Sequence, residues 1–203
     1  MPVENAPSEQ IPSDHVAVAG KPEPVHHGLG FWAIVKEDLK LQYGEWSTPG
    51  FQALLMYRIG VERYSRGKIA RKILGLIYNV MHRFVRNVYT IELYSTAKIG
   101  RRVKIAHQGG IVIHPNAVIG DDCVIRQNVT IGAVGDDSWQ IAPTLGRNVS
   151  IGAGAVVIGR IHVGDNVRIG PNSVVTMNVP ADSLVVVPPP RILPMAKPTA
   201  PAR

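Results

Sequence analysis

From Ile91 onward, apolar residues recur at every sixth position. The marked positions are Ile99, Ile105, Ile113, Ile119, Ile125, Ile131, Ile151, Val157, Val163, Ile169 and Val175. Six is a multiple of the strand period of two, so an inward position stays inward at each repeat, which a 3.6-residue helix cannot achieve. The pattern therefore predicts short parallel strands that wind into a coil of three hexads per turn, over between three and four turns, with stacked Ile and Val side chains inside.

The six-residue register slips twice. Eight residues separate Ile105 from Ile113, so two extra residues enter between them. Twenty residues separate Ile131 from Ile151, which we interpret as one full turn plus two residues, with residues 133–145 forming a loop outside the wall. Because loops carry function on a rigid scaffold, we expect the chemistry at these two breaks.

Upstream of the repeats the apolar spacing is helical. Phe31–Leu41 is a predicted first helix, and a second follows Thr48-Pro49-Gly50 and ends near Gly67. Apolar residues at i, i+3 and i+4 from Ile69 to Met81 predict a third helix. We divide the chain into a disordered N-terminal tail (1–28), an α-helical region (29–90), a β-helix (91–187) and a Pro-rich C-terminal tail (188–203).

Composition narrows the class of protein. The single cysteine, Cys123, excludes an internal disulfide and fits a reducing compartment, so we expect a cytoplasmic protein. The sequence contains neither a signal-peptide pattern nor an apolar run long enough to span a membrane. The net charge of +7 is concentrated in the helical region, where seven Lys or Arg and no acid lie between Arg63 and Arg86. This stretch is either a solvated face or a contact for CoA phosphates or, peripherally, for a membrane; we expect no nucleic-acid partner.

The segments IELYSTAKIG, HQGGIVIHPNAVIG, IRQNVTIGAVG and VSIGAGAVVIG carry a family resemblance. Residues 91–193 resemble the hexapeptide-repeat acyltransferases, and most closely the serine acetyltransferase branch; PGFQALLMYRIG resembles that family's N-terminal helices. The resemblance implies a left-handed parallel β-helix and a homotrimer, with acetyl-CoA in a groove between adjacent β-helices. No metal is expected. A similar branch contains polysaccharide-associated O-acetyltransferases.

His107 lies in the first break and falls on the family's catalytic histidine. An imidazole, with a pKa of about 6.5, suits removal of the proton from an acceptor hydroxyl that attacks a thioester. Glu92, about one turn earlier, falls on the family's acidic residue that orients the ring. The amides of Gly109 and Gly110 are candidate donors to the oxyanion. The alternatives are a surface histidine, a rim carboxylate and glycines that only permit the turn.

The resemblance also points to residues for the donor. These are Gly132, Ala133, Val134, Ala153, Arg168 and Pro171. Small side chains let the pantetheine arm lie against the wall, and Arg168 or Arg191 is available to CoA phosphates. Gly and Ala are also the residues that hexad turns use for structural reasons alone.

The residues expected to recognise the acceptor depart from the serine acetyltransferase pattern. Ala106 stands where that branch has Asp, and Ile141-Ala142 stands where it has Arg-His. Because a zwitterionic substrate needs charged partners, the sequence favours a sugar hydroxyl in exopolysaccharide or capsule biosynthesis. Asp136 and Asp137 would bind its hydroxyls and Trp139 would stack on its ring. Trp139 could equally be a lid residue packed against the coil.

Three other functions stay open at this point. The first is L-serine O-acetylation in cysteine biosynthesis. The second is a non-catalytic trimeric scaffold. The third is a zinc enzyme that uses His107, His114 and His162, although the first two are separated by the register break.

Overall fold

The structure is a computed structural model that describes residues 28–135 and 138–193. Its helices are α1 (Phe31–Leu41), α2 (Pro49–Glu62) and α3 (Lys68–Tyr89), with a 3-10 turn at Arg63–Ser65. α1 occupies the residues predicted for it, and α2 begins with Pro49 in the first turn, where proline is favoured. α3 continues past the predicted periodicity to Tyr89. The tails predicted for residues 1–28 and 188–203 lie largely outside the described residues.

Fourteen short strands follow in the described ranges. They are β1 (Ile91–Leu93), β2 (Lys98–Ile99), β3 (Lys104–Ala106), β4 (Ile111–Ile113), β5 (Val118–Ile119), β6 (Val124–Arg126), β7 (Thr130–Gly132), β8 (Thr144–Leu145), β9 (Ser150–Ile151), β10 (Val156–Ile158), β11 (His162–Val163), β12 (Arg168–Ile169), β13 (Val174–Val175) and β14 (Leu184–Val185). They form three parallel sheets: sheet one (β1-β4-β7-β10-β13), sheet two (β2-β5-β8-β11) and sheet three (β3-β6-β9-β12-β14). The predicted parallel β-helix with a small helical region is confirmed.

The interior of the coil is the predicted one. Every marked register residue is at most 3% exposed. Strand pairing stacks these side chains directly, for example Ile113 on Ile131 and Ile131 on Val157. Each buried Ile or Val contributes about 1.5–3 kcal/mol relative to an exposed side chain, so the stack stabilises the solenoid along its length.

The structure confirms our prediction for the first register slip and contradicts it for the second. Ile91 pairs with Ile111, so the first coil has twenty residues and the two-residue insertion at His107 is confirmed. Our interpretation of the second slip was wrong. Val118 pairs with Thr144, twenty-six residues on, so the loop inserts eight residues into one coil and ends before β8. Leu145 is a buried rung of sheet two at 2% exposure, because a leucine fills the interior position as an isoleucine does.

α2 closes the open end of the first coil. The Tyr57 hydroxyl accepts a hydrogen bond from the Ile99 amide at 3.0 Å. Arg58 donates to the Ile99 carbonyl at 3.1 Å and pairs with the buried Asp38 at 2.9 Å. These side chains satisfy strand-edge groups that would otherwise be free to pair with another chain. The helices therefore hold the first coil, which carries Glu92, at its open end.

Candidate active site

The three sheets form the faces of a prism, and His107 lies on the edge where sheet three turns into sheet one. We call residues 107–110, 127–128, 153–154 and 171–172 the His107 edge. Its successive coils are joined by backbone hydrogen bonds from Asn128 to Gly109 (2.8 Å), Gly154 to Gln127 (3.0 Å) and Asn172 to Ala153 (2.9 Å). The structure thus brings three predicted site residues, His107, Ala153 and Pro171, onto one continuous edge.

The backbone at His107 is left-handed. Its φ is +69°, a region that few non-glycine residues adopt, although histidine is enriched there. Gly109 (φ +106°) and Gly110 (φ +63°) follow, so the two-residue insertion turns sharply and leaves the His107 side chain exposed. The Gly110 amide donates to Thr90 Oγ1 at 2.8 Å, whereas the Gly109 amide makes no hydrogen bond within the described chain. Of the two predicted oxyanion donors, Gly109 is the one available.

Glu92 lies on the outer face of sheet one, next to this edge. Its carboxylate accepts a hydrogen bond from the Tyr94 hydroxyl, which raises the pKa of Tyr94. The Tyr94 ring lies 5.2 Å from that of His82, whose pKa is lowered mainly by burial. In the described part of the chain, no hydrogen bond joins Glu92 to His107. The structure places the carboxylate beside the histidine's edge without a direct contact.

A pocket opens on sheet one beneath the loop after β7. Its lining includes Glu92, Tyr94, His114, Gly132, Ala133 and Trp139. Residues predicted for three different roles therefore share one cavity: the carboxylate, the loop entrance and the indole. The Trp139 ring packs edge-on against His114 with 4.4 Å between ring centroids, while 55% of the residue stays exposed.

Sequence reasoning did not place His114 in this pocket. The residue is only 5% exposed, and its Nδ1 accepts the Asn116 amide at 3.1 Å, so the neutral ring carries its proton on Nε2. Nε2 is buried without a partner in the described chain. Burial lowers the pKa of His114, which keeps the ring neutral. A buried donor without an acceptor is costly, which makes His114 a candidate ligand contact.

Arg126 was also missed by the sequence reasoning. It ends β6 directly beside Ala106, the residue before His107. Its guanidinium is half-buried and is held by hydrogen bonds to Ser150 Oγ (3.1 Å) and the Ile151 carbonyl (3.3 Å). A fixed cation therefore stands between the coils of His107 and Ala153. The available signal was an arginine at an outward hexad position immediately before a corner.

The other predicted residues of the described chain lie apart from the His107 edge and from the pocket beneath the loop. Val134 is 68% exposed at the start of the loop, and Arg168 is exposed on the outer face of sheet three. Arg191 is exposed beyond the last strand, and Asp136 and Asp137 lie outside the described residues. His162 is exposed on sheet two, away from His114 on sheet one. Among residues 28–135 and 138–193, no three His, Cys, Asp or Glu side chains are grouped to hold a metal ion.

Comparisons with known proteins place the chain in a family. The protein-family model described as bacterial transferase hexapeptide (six repeats) matches residues 142–176. A serine acetyltransferase of Helicobacter pylori is 41% identical over 138 residues, which are 68% of this chain and 77% of that protein. The chain belongs to the serine acetyltransferase-like hexapeptide-repeat acyltransferases. The further resemblance to polysaccharide-associated O-acetyltransferases is not supported, since these relatives are serine acetyltransferases.

Two further relatives show how much of the enzyme architecture is shared. A serine acetyltransferase of Synechococcus elongatus is 40% identical over 145 residues, which are 71% of this chain and 57% of that protein. The crystal structure of serine acetyltransferase isoform 3 from Entamoeba histolytica, in complex with cysteine, superposes with a TM-score of 0.66 at 28% identity. It is matched over 82% of this chain and 62% of its own. The chain thus spans just over half the length of some members of its family.

Proposed function

We propose that this family member is an acetyl-CoA-dependent O-acetyltransferase whose acceptor is L-serine. The observation that carries the proposal concerns His107, at the family's catalytic position. It has a left-handed backbone and an exposed side chain, and it shares an edge with Ala153 and Pro171. The relatives support serine as the acceptor, so this replaces the sugar acceptor that the sequence favoured. We also propose a homotrimer, as the resemblance implies, which mass measurement in solution tests.

The proposed reaction is a direct transfer. The His107 imidazole removes the proton from the serine hydroxyl as its oxygen attacks the carbonyl carbon of the thioester. Negative charge develops on the carbonyl oxygen and is met by the Gly109 amide. The tetrahedral intermediate then collapses, the carbon–sulfur bond breaks, and the imidazolium returns the proton to the CoA thiolate. The products are the acetyl ester and CoA.

Glu92 acts in this scheme through charge. It lies on the sheet face adjoining the His107 edge and accepts the Tyr94 hydroxyl, so its carboxylate is held in one place. A carboxylate held there offsets the positive charge that develops on the imidazole during transfer. We therefore assign Glu92 as a positioning residue whose replacement by Gln lowers kcat and shifts the pH profile of kcat.

The donor would lie along the His107 edge. Ala153 and Pro171 lie on the third and fourth coils of that edge and present small side chains to a pantetheine arm. Gly132 and Ala133 line the pocket at the loop entrance, with Val134 beyond them. Arg168, exposed on sheet three, is available to the phosphates.

Recognition of serine needs a cation that the family motif does not supply here. Ala106 and Ile141-Ala142 are apolar where charged partners were expected, and Ala142 packs against the core. Arg126 offers a half-buried guanidinium beside Ala106, and a guanidinium binds a carboxylate through paired hydrogen bonds. We propose that Arg126 holds the serine carboxylate.

A sugar hydroxyl is the second candidate acceptor. The observation in its favour is the same set of apolar replacements, together with the unpartnered His114 donor in the pocket. Trp139 contacts His114 at its edge, which suits a lid residue better than an open stacking platform.

The experiment follows free thiol release from acetyl-CoA with L-serine, with sugar acceptors and with no acceptor. We expect turnover with serine, and a rise in the KM for serine of about tenfold in Arg126→Gln because a charge-assisted hydrogen bond is lost. Arg160→Gln, which removes an exposed arginine elsewhere on the coil, should leave KM unchanged. Turnover with sugars and none with serine would overturn the choice of acceptor.

A further inference from the structure

Helix α3 leaves a long apolar face uncovered in the described structure. The exposed residues of this apolar stripe are Ile69, Ile73, Leu76, Ile77, Val80, Phe84 and Val88, with 40–79% of each residue exposed. At about 100° per residue they fall on one side of the helix, about 120° wide. The opposite side packs on the rest of the chain through Tyr78 and Val85, which are 7% and 1% exposed. The stripe therefore contributes nothing to the core.

Cations border the stripe on one side. Lys72 and Arg83 lie next to it around the helix and Lys68 and Arg86 lie beyond them, all four exposed. No acidic residue occurs between Arg63 and Arg86, and within the described chain no salt bridge neutralises these four side chains. A cleft at the start of the helix adds further cations, since its lining includes Arg63 and Arg71.

An aromatic residue borders the other side of the stripe. Trp32, at the start of α1, is 71% exposed and shares a groove with Ile73 and Leu74 of α3. Tryptophan is the residue that most often marks the boundary between water and lipid, because its ring is apolar and its N–H is polar. The apolar surface is thus continuous from α3 to an exposed indole.

The chemistry of this face selects one occupant. A second copy of the same face would bring unpaired cations against cations, and a nucleic acid would leave the apolar stripe in water. A surface of anionic phospholipid matches both the apolar stripe and its cations, because acyl chains cover the stripe and headgroup phosphates pair with Lys and Arg. We propose that α3 and Trp32 dock the protein on anionic membranes. The helix lies in the interface, since none of the described helices is long and apolar enough to cross a bilayer.

Docking would bring the active-site edge close to the lipid surface. α3 ends at Tyr89, and the next residue, Thr90, receives the hydrogen bond from Gly110, three residues after His107. Membrane docking is independent of the acceptor and of catalysis, and lipid binding alone tests it.

The test is sedimentation of the full chain with vesicles of phosphatidylcholine, with and without phosphatidylglycerol, together with the emission of tryptophan. We expect binding only to the anionic vesicles, weaker at high salt, with a blue shift that is lost in Trp32→Leu. The double variant Lys72→Gln/Arg83→Gln should bind on the order of 30-fold more weakly. Leu76→Gln/Val80→Gln should lose at least about tenfold.

Matched controls remove the same groups elsewhere. Lys98→Gln/Arg160→Gln deletes two exposed cations of the β-helix, and Met177→Gln/Val186→Gln deletes two exposed apolar side chains, so both should bind as the parent does. Circular dichroism checks that each variant is folded. Equal binding to neutral vesicles, no binding to anionic ones, or equal losses in controls and α3 variants would overturn the proposal. So would dissociation of an oligomer by the Leu76 and Val80 changes without any lipid binding, or polyanion binding that they do not affect.

Discussion

Two edges of the same prism pair their polar groups differently. On the edge between sheets two and three, the Asn148 amide donates to Asn166 Oδ1 at 2.9 Å, and Asn166 donates to Asp182 Oδ1 at 2.8 Å. Arg147 and Asp165 form an ion pair at 2.9 Å beside them. We call this the ladder edge. Its polar side chains are satisfied within the chain, and the pairs join successive coils.

The His107 edge lacks such a ladder. The His107 ring makes no hydrogen bond in the described chain, and Gln127 Oε1 is buried without a partner there. Both edges use left-handed corner residues, Asn128 and Asn172 on one and Asn148 and Asn166 on the other, so the backbone requirement is the same. The ladder edge therefore contributes to stability, whereas His107 and Gln127 Oε1 are unpaired in the described chain, as the ligand contact proposed above requires.

The largest effect should come from His107→Asn. Asparagine tolerates a left-handed backbone, so the substitution removes the base without adding strain. We expect kcat for thiol release to fall by about 10²–10⁴-fold while the melting temperature stays within experimental error. Activity within a few-fold of the parent would remove His107 from the mechanism.

Gly110→Ala strains the same edge through the backbone. A Cβ at this position would meet Asn128 Oδ1, the end of a side chain that can move aside, so the main cost is the left-handed φ, ~1–2 kcal/mol. We expect urea denaturation to show a loss of ~1–2 kcal/mol, together with reduced activity. The control is Gly75→Ala in open space within α3, which should change stability in the opposite direction, by about +1 kcal/mol.

Asn166→Ala probes the ladder edge. It deletes two side-chain hydrogen bonds and places alanine at a φ of +59°, so we expect a loss of ~1–2 kcal/mol with kcat unchanged. Asn166→Gly accommodates the backbone and should recover part of that loss. A fall in kcat as large as that of His107→Asn would erase the distinction between the two edges.

The smallest effect concerns pH. Burial lowers the pKa of both His82 and His114 below the unfolded value of about 6.5, so the unfolded state binds more protons as the pH falls through that value. Stability is therefore complete above about pH 6.5 and should decline as the pH falls below that value. Asp122 and Asp165, whose pKa values are lowered by Arg102 and Arg147, add their losses only below about pH 4. In His114→Asn, the free energy of unfolding from urea curves should fall less steeply as the pH drops below about 6.5. An unchanged pH dependence would contradict the buried neutral ring.

Sequence reasoning predicted the interior of the coil and much less of its outside. Inward positions such as Ile113 and Val157 follow from a period of six, because one residue type suits every rung. Leu145 was missed because Pro143-Thr144 precedes it. The hexad pattern usually has a small residue two positions before the buried one. The eight-residue loop then looked like a full turn with two extra residues.

The outer features depend on three-dimensional neighbours that spacing does not encode. Arg126 matters because β6 sets it beside Ala106, and His114 matters because Trp139 folds back over it. The sealing of the first coil by Tyr57 and Arg58 likewise depends on how α2 meets the strands. His107 itself was found through the family resemblance and the register break, and the structure adds its left-handed backbone.

The most direct test of the difference between the edges is amide hydrogen exchange with and without CoA. We expect protection of peptides that contain residues 107–110, 127–128 and 153–154, and no change in peptides that contain residues 147–149 and 165–167. Protection of the ladder edge instead, or no protection of the His107 edge at saturating CoA, would contradict this expectation.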